Sequence, residues 1–137
     1  ITAAETGHLA FSTLHTSGAA NTIDRIIDIF PPYQQQQIKV QLSTTLQGIV
    51  SQQLLNRRDR SGRVAALEIM MPNPAIRNLI REGMTHEINS IIQTNEKLGM
   101  QTMDDCLINL YRQNIISYDD VLAYAVDQDN IMSTANI

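Results

Sequence analysis

The spacing of apolar residues in the first third of the chain predicts one strand followed by two helices. Residues 7–14 (GHLAFSTL) have the length and apolar content of a buried strand. Ile23, Ile26, Ile27 and Phe30 then recur at helical spacing, and the next two residues are prolines, which end a helix. Residues 33–55 keep apolar side chains on one side and predict a long helix, with a short strand at its end as the alternative.

The remaining pattern predicts a second strand and four short helices. Residues 57–63 form a polar turn, and residues 64–71 have the apolar content of a strand. Each later helix begins at a residue that caps helices: Asn73 (followed by proline), Thr85, Thr102 and Ser117. We expect residues 130–137 to be frayed.

This order of elements predicts half of an α/β fold. One or two strands cannot make a sheet that is buried on both faces. We therefore expect the neighbours of the first strand to come from sequence upstream of Ile1 or from another chain. The pattern divides the chain into residues 1–72 with the strands, a helical region at 73–129, and the tail at 130–137.

Composition and charge exclude several classes of protein. The chain has 137 residues, of which 43% are hydrophobic and 18% charged, as in a globular domain. The net charge is −4, and residues 73–137 hold four basic against nine acidic residues. With only 4% aromatic residues and no basic face in that half, we expect no nucleic-acid partner. The single cysteine suits a reducing compartment, and no apolar run reaches the ~20 residues of a membrane span.

Several motifs in the same order resemble one known family. They are TAAETGHLAFSTLHT, TIDRIIDIFP, LQGIVSQQLL, GRVAALEIM, PAIRNLIREG and KLGMQTMDDCL. Together they resemble the C-terminal part of the type IV pilus retraction ATPases, within the secretion-ATPase superfamily. The resemblance runs from Ile1 to about Asp129.

The resemblance implies the fold and the activity. It implies the C-terminal half of a RecA-like P-loop ATPase core, followed by a small helical region. The parent protein would be a cytoplasmic homohexamer at the inner face of the inner membrane. It would hydrolyse ATP with Mg²⁺ to retract pili for twitching motility, with the membrane platform protein and the pilus machinery as partners.

The family also implies where the phosphate site lies. The loop G-x-x-x-x-G-K-[ST] and the Walker B glutamate precede this region in the family, and neither is present here. We therefore expect residues 1–137 alone to be inactive as an ATPase.

The first strand matches the His box of the family. Strand ends in open α/β sheets line ligand crevices, so Thr13, His15 and Thr16 would point toward the γ-phosphate. The resemblance implies catalytic roles for His8, Thr13 and His15, and a nucleotide contact for Thr16. The alternative is that His8 is structural and the hydroxyl groups cap a helix. The spacing of the three histidines fits neither zinc pattern, so we expect no metal site.

A second motif matches the family over eight positions. Its residues are Ala75, Ile76, Arg77, Asn78, Leu79, Ile80, Arg81 and Glu82. The apolar members form a buried stripe, while Arg77 and Arg81 form a like-charge pair one turn apart, which costs an isolated helix about 0.2–0.5 kcal/mol. The resemblance implies that this motif serves pilus retraction rather than hydrolysis, through contact with a neighbouring subunit or transmission of motion. The alternative is a solvated helix face.

Two other functions compete with retraction. Pilus-extension and type II secretion ATPases share the core, but those relatives usually carry a paired C-x-x-C insertion after the segment equivalent to residues 53–55. Here the next residues are Asn56, Arg57 and Arg58, without a cysteine. A non-enzymatic helical binding or adaptor module is the alternative of another class. The sequence also predicts that Glu68, which shares a strand face with Val64, Ala66 and Met70, needs a partner or solvent.

Overall fold

The computed structural model describes residues 1–134, which form helices around one antiparallel hairpin. The α-helices are α1 (Thr2–Glu5), α2 (Ala19–Asp28), α3 (Pro32–Thr45), α4 (Pro74–Glu82), α5 (Ile88–Thr94), α6 (Met103–Arg112), α7 (Tyr118–Tyr124) and α8 (Gln128–Thr134). The strands are β1 (Ile49–Asn56) and β2 (Arg63–Met70), and 3₁₀ turns lie at Thr85–Glu87 and Glu96–Leu98. No helix in residues 1–134 has the length and apolar content needed to cross a bilayer.

The hairpin pairs β1 with β2 over its whole length. Ile49 lies opposite Met70, Ser51 opposite Glu68, and Asn56 opposite Arg63. On its other edge, β2 forms a short bridge in which Ile69 and Gln101 exchange backbone hydrogen bonds of 2.9 and 3.0 Å. The bridge attaches the segment before α6 to the strand.

Two separate hydrophobic clusters lie on the hairpin. The first buries residues of α2 to α5 together with Met70 at the end of β2. The second buries residues of α6, α7 and α8 together with Leu55 of β1 and Ala66 of β2. The hairpin therefore joins the two clusters, and β2 contributes to both.

The predicted strand at residues 7–14 does not form in the structure, and this prediction is corrected. The segment is irregular and makes no strand pairing. Leu9 and Phe11 expose 81% and 89% of their surface. A strand needs a neighbour for its backbone groups, and none of the described strands lies beside this segment. Its apolar side chains are consistent with the expectation that the neighbours lie outside this sequence.

The predicted long helix over residues 33–55 is also wrong in its second half. Helix α3 ends at Thr45, and Leu46 adopts an extended conformation with ψ of 129°. Residues 49–56 then form β1, in which burial alternates along the strand. The alternative of a strand at the end of that segment is thus correct, although the strand is longer than expected.

The capping signals locate three of the four predicted helices correctly. The side chains of Asn73, Thr102 and Ser117 each accept a backbone N–H at the start of α4, α6 and α7. Thr85 instead begins a 3₁₀ turn, and its hydroxyl donates to Asp24 at 2.8 Å.

The end of the chain differs from the expected frayed tail at 130–137. Residues 128–134 form α8, and Ile131 is fully buried in the second cluster. The apolar side chain of Ile131 completes the packing of α6 and α7, which a pattern limited to local spacing does not reveal. Residues 135–137 lie outside the described residues.

Candidate functional site

The segment predicted as the His box leads directly into α2 and is open to solvent. His8 shares a hydrogen bond of 3.1 Å between its Nδ1 atom and the hydroxyl of Thr6. Thr13 and His15 are exposed, and no hydrogen bond from either side chain is recorded within residues 1–134. The structure therefore does not bring the two histidines into one hydrogen-bonded site, and within residues 1–134 no hydrogen bond occupies the ring of His15.

Thr16 begins the turn that joins this segment to α2. Its hydroxyl lies 2.8 Å from the hydroxyl of Thr22, which in turn donates to the carbonyl of Gly18 at 2.8 Å. The proton on the Thr16 hydroxyl therefore points to Thr22, which leaves its lone pairs available. Gly18 has φ of 84° and ψ of 152°, a backbone conformation that essentially only glycine adopts. The turn thus depends on a glycine at this position.

The amino end of α2 is capped by side chains of the hairpin. Gly18 is the N-cap residue and has no side chain to accept a hydrogen bond. Instead, the amide of Gly18 donates to the hydroxyl of Ser51 at 3.0 Å, and the amide of Ala19 donates to Oε1 of Glu68 at 2.6 Å. Ser51 and Glu68 are direct cross-strand neighbours. A carboxylate is also the charge that the positive end of a helix dipole favours.

Glu68 is a buried acid, with only 5% of its surface exposed. Burial raises the pKa of its carboxyl above its ordinary value of 4.5. The backbone amides of Ala19 and Met103 oppose this rise, while the charge of Asp104 adds to it. The sequence predicts that Glu68 needs a partner or solvent. In the structure the partner is the backbone amide of Ala19 at the start of α2, with the amide of Met103 at the start of α6 nearby.

A cavity of about 320 Å³ lies beside this cap. Ser17 and Gly18 line it from the turn, Ser51 and Glu68 from the hairpin, and Met103 from α6. It is the place where the turn after the His box, the hairpin and the carboxy-terminal helices meet. Of the predicted His-box residues, none lines this cavity; the turn that follows them does.

The eight-residue motif occupies α4 and its first and last turns have different surroundings. Ile76, Leu79 and Ile80 are buried, which confirms the predicted apolar stripe. Nη1 of Arg77 donates to the carbonyls of Ser43 and Thr44, at 2.6 and 3.2 Å. These carbonyls belong to the last turn of α3, where helix carbonyls lack partners within the helix.

The other polar members of the motif face solvent. Ala75, Asn78, Arg81 and Glu82 are exposed on α4. Within residues 1–134 no ion pair is recorded for either Arg77 or Arg81. The two arginines, which the sequence treats as a pair, thus differ: one binds α3 and the other is accessible.

One arginine of the turn at residues 57–63 pairs with an acid of the same turn. Both Nε and Nη2 of Arg57 donate to Asp59, at 2.8 and 2.6 Å, and this lowers the pKa of Asp59. Within residues 1–134, no group of three or more His, Cys, Asp or Glu side chains is arranged to hold a metal ion. The turn therefore neutralises part of its own charge.

Comparison with known proteins identifies the family. Residues 1–123 match the family described as "Type II/IV secretion system protein". The chain is 53% identical over 117 residues to the "Twitching motility protein" of Neisseria gonorrhoeae, a match that covers 85% of this chain and 31% of that protein. It is 48% identical over 130 residues to the "Type IV pilus retractation ATPase PilT" of Pseudomonas aeruginosa, covering 95% of this chain and 38% of that protein.

A solved structure shows the same architecture. The crystal structure of the pilus retraction motor PilT with bound ADP superposes with a TM-score of 0.85 at 45% identity, covering 96% of this chain and 36% of that one. The likeness confirms the predicted fold class, the C-terminal part of a RecA-like ATPase. The chain spans about a third of the length of the relatives that it matches.

Proposed function

The chain belongs to the type II/IV secretion system protein family, and we propose that it is the C-terminal part of an ATP-driven motor that retracts type IV pili. The observation that carries this proposal is the match to the pilus retraction ATPase of P. aeruginosa, which extends over 95% of the chain at 48% identity. The likeness to a retraction motor solved with bound ADP supports a nucleotide as the ligand.

Within this proposal the His-box residues serve the nucleotide. Imidazole and hydroxyl groups can donate hydrogen bonds to phosphate oxygens. The side chains of Thr13 and His15 are exposed, so a bound nucleotide can reach them. His15 would contact the γ-phosphate and Thr16 would contribute a hydroxyl, with His8 at the start of the segment. The parent protein would bind ATP with Mg²⁺ as a homohexamer at the inner face of the inner membrane, and would act on the pilus machinery through the platform protein.

In this proposal the exposed side of α4 serves pilus retraction rather than ATP hydrolysis. Arg81 and Glu82 are exposed and accessible to a second protein surface. We assign them contact with a neighbouring subunit, while Arg77 transmits movement of α4 to α3 through its bonds to the last turn of that helix.

The first test is ATP hydrolysis by the full-length protein that contains this chain. We expect Mg²⁺-dependent turnover, and we expect His15→Ala to lower kcat by roughly 10²-fold, the usual loss when one donor to developing charge is removed. His86→Ala is the matched control, because His86 is an exposed histidine outside the His box. Residues 1–137 alone should show no turnover, because they lack the loop that holds the phosphates.

Some results would refute the proposed function, and another would refute only the role of His15. A full-length protein without ATPase activity, or one that does not restore twitching in a strain lacking its retraction ATPase, would refute the function. Turnover by His15→Ala at the rate of the parent would refute the role of His15 alone.

A further inference from the structure

A polar pair interrupts the buried face of the hairpin between the two hydrophobic clusters. Along β2, residues 66, 68 and 70 share one face because side chains alternate along a strand. Ala66 belongs to the second cluster and Met70 to the first, and both are fully buried. Glu68 lies between them, with Ser51 opposite it on β1. The carboxylate therefore stands where the two clusters adjoin.

This pair holds the turn that follows the His box. The amides of Gly18 and Ala19 are two of the unpaired N–H groups at the start of α2, and they donate to Ser51 and Glu68 respectively. Because Gly18 has no side chain and a positive φ, the turn has no cap of its own. The position of the turn against the hairpin thus depends on these two acceptors.

The neighbouring β2 residues Leu67 and Ile69 also hold the start of α6. Ile69 exchanges two backbone hydrogen bonds with Gln101, and the side-chain amide of Gln101 donates to the carbonyl of Leu67 at 2.6 Å. The amide of Leu67 donates to Sγ of Cys106 at 3.3 Å. Met103, the first residue of α6, lines the same cavity as Glu68, and its backbone amide is near enough to lower the pKa of the carboxyl. Glu68 thus accepts a hydrogen bond at the start of α2 and lies beside the start of α6, and these two helices belong to different clusters.

A purely structural cap does not require a charge at this position. Within residues 1–134, no Lys, Arg or His forms an ion pair with Glu68, so the carboxylate is stabilised by backbone amides alone. A buried charge without a cation is costly, and a neutral acceptor would satisfy the amide of Ala19 at lower cost. A negative charge attracts both helix starts at once, which a neutral group does more weakly.

We propose that Glu68 is a positioning residue that fixes the turn after the His box against the hairpin and couples that turn to the start of α6. The proposal rests on the proposed function for its effect on catalysis. Through the turn at residues 16–18, Glu68 sets the direction in which Thr13 and His15 leave the body of the protein. Gln101 and Met103 connect the start of α6 to β2 and to Glu68. A shift of the carboxy-terminal helices would therefore also move the turn at residues 16–18.

The experiment compares Glu68→Gln, Glu68→Ala and Ser51→Ala in the full-length protein. Glu96→Gln is the matched control, since Glu96 is an exposed carboxylate in a 3₁₀ turn. Two quantities are measured for each variant: hydrogen–deuterium exchange of peptides covering residues 15–22 and 101–106, and kcat and KM for ATP.

We expect Glu68→Ala to speed exchange in both peptides by about tenfold, since the amide of Ala19 loses its hydrogen bond to a charged acceptor and the start of α6 loses the neighbouring negative charge. kcat should fall by roughly tenfold while KM for ATP changes less, because the turn orients the His box without holding the nucleotide. Glu68→Gln should recover part of kcat, because its amide oxygen can accept from Ala19, whereas it presents no negative charge to the start of α6. Ser51→Ala should affect residues 15–22 but leave residues 101–106 unchanged.

Each other outcome overturns a stated part of the proposal. Faster exchange in both peptides with unchanged kcat would make Glu68 a structural cap only. Exchange that rises only in residues 15–22 would remove the coupling to α6. If Glu68→Ala does not fold, the Gln and Ser51 variants decide the same questions. A parent protein without ATPase activity would overturn the proposed function, while the exchange data would still test the two-helix cap.

Discussion

The charge state of a single residue, Glu68, makes the stability of this fold depend on pH. Burial raises its pKa in the folded protein above 4.5, with the charge of Asp104 on α6 adding to the rise. Between the unfolded and the folded pKa, the folded state binds more protons than the unfolded state. The free energy of unfolding contributed by Glu68 is therefore fully present below the lower pKa and falls as the pH rises through this window.

The prediction concerns the difference between the parent protein and its Glu68→Gln variant. Because glutamine does not titrate, the free energy of unfolding of the variant should lack this decline, and the stability of the parent relative to the variant should fall as the pH rises above 4.5. Urea unfolding of both proteins at a series of pH values measures this difference in the free energy of unfolding. A difference that rises with pH would mean that the amide donors outweigh burial and that the pKa of Glu68 is lowered.

The role of Glu68 also marks the limit of sequence reasoning for single residues. The helix caps at Asn73, Thr102 and Ser117 were predictable because each side chain serves an amide three residues away. Glu68 serves the amide of Ala19, which lies 49 residues earlier. Its place on a buried strand face indicated a missing partner, but nothing local indicates which amide supplies it.

At the scale of elements, Arg77 joins α3 to α4. Its guanidinium donates to two carbonyls in the last turn of α3, and a cation there also meets the negative end of the helix dipole. Arg81 lies one turn further along α4 and is exposed. We predict that Arg77→Ala lowers the free energy of unfolding by about 1–3 kcal/mol, as for loss of a hydrogen bond from a charged group. Arg81→Ala should change it by less than about 0.5 kcal/mol.

Urea unfolding of the two variants measures this difference, and each is the control for the other because both remove an arginine from the same helix. Equal losses would show that the contact between Arg77 and α3 contributes nothing to stability. If the proposed motor role also holds, both variants should retain ATPase activity and lose twitching. Arg77→Ala would break the contact between α4 and α3, and Arg81→Ala would alter the exposed surface of α4.

Elements with local signals were predicted well, and those that depend on distant pairing were not. Helices α2 and α4 follow from apolar spacing together with their prolines and Gly83, which has the left-handed φ of 74°. The end of α3 was missed because apolar residues continue at spacings compatible with a helix. Strand β1 forms because residues 49–56 pair with β2, and the paired residues lie 7 to 21 positions further along the chain, beyond the reach of a local helical pattern.

At the scale of the whole molecule, the described chain leaves an apolar segment without cover. Leu9 and Phe11 are among its most exposed large hydrophobic side chains, at 81% and 89%. The relatives are about three times as long as this chain, so they hold sequence that could supply neighbours for this segment. The apolar content of residues 7–14 predicts a strand, and the described chain offers this segment no strand to pair with.

We predict that residues 8–14 are protected from hydrogen exchange in the full-length protein and unprotected in residues 1–137 alone. Among residues 8–14 of the described chain, only His8 donates a recorded backbone hydrogen bond, to Ala3, so the other amides should exchange at nearly the rate of an unfolded peptide. In the full-length protein, strand pairing should slow that exchange by at least about a hundredfold, since buried strands open only with free energies close to that of global unfolding. Residues 23–28 of α2 are the internal control, because their helical hydrogen bonds are present in both proteins. Equal, fast exchange of residues 8–14 in the full-length protein would mean that the segment is a loop, and the strand that should present His15 to the nucleotide would not exist.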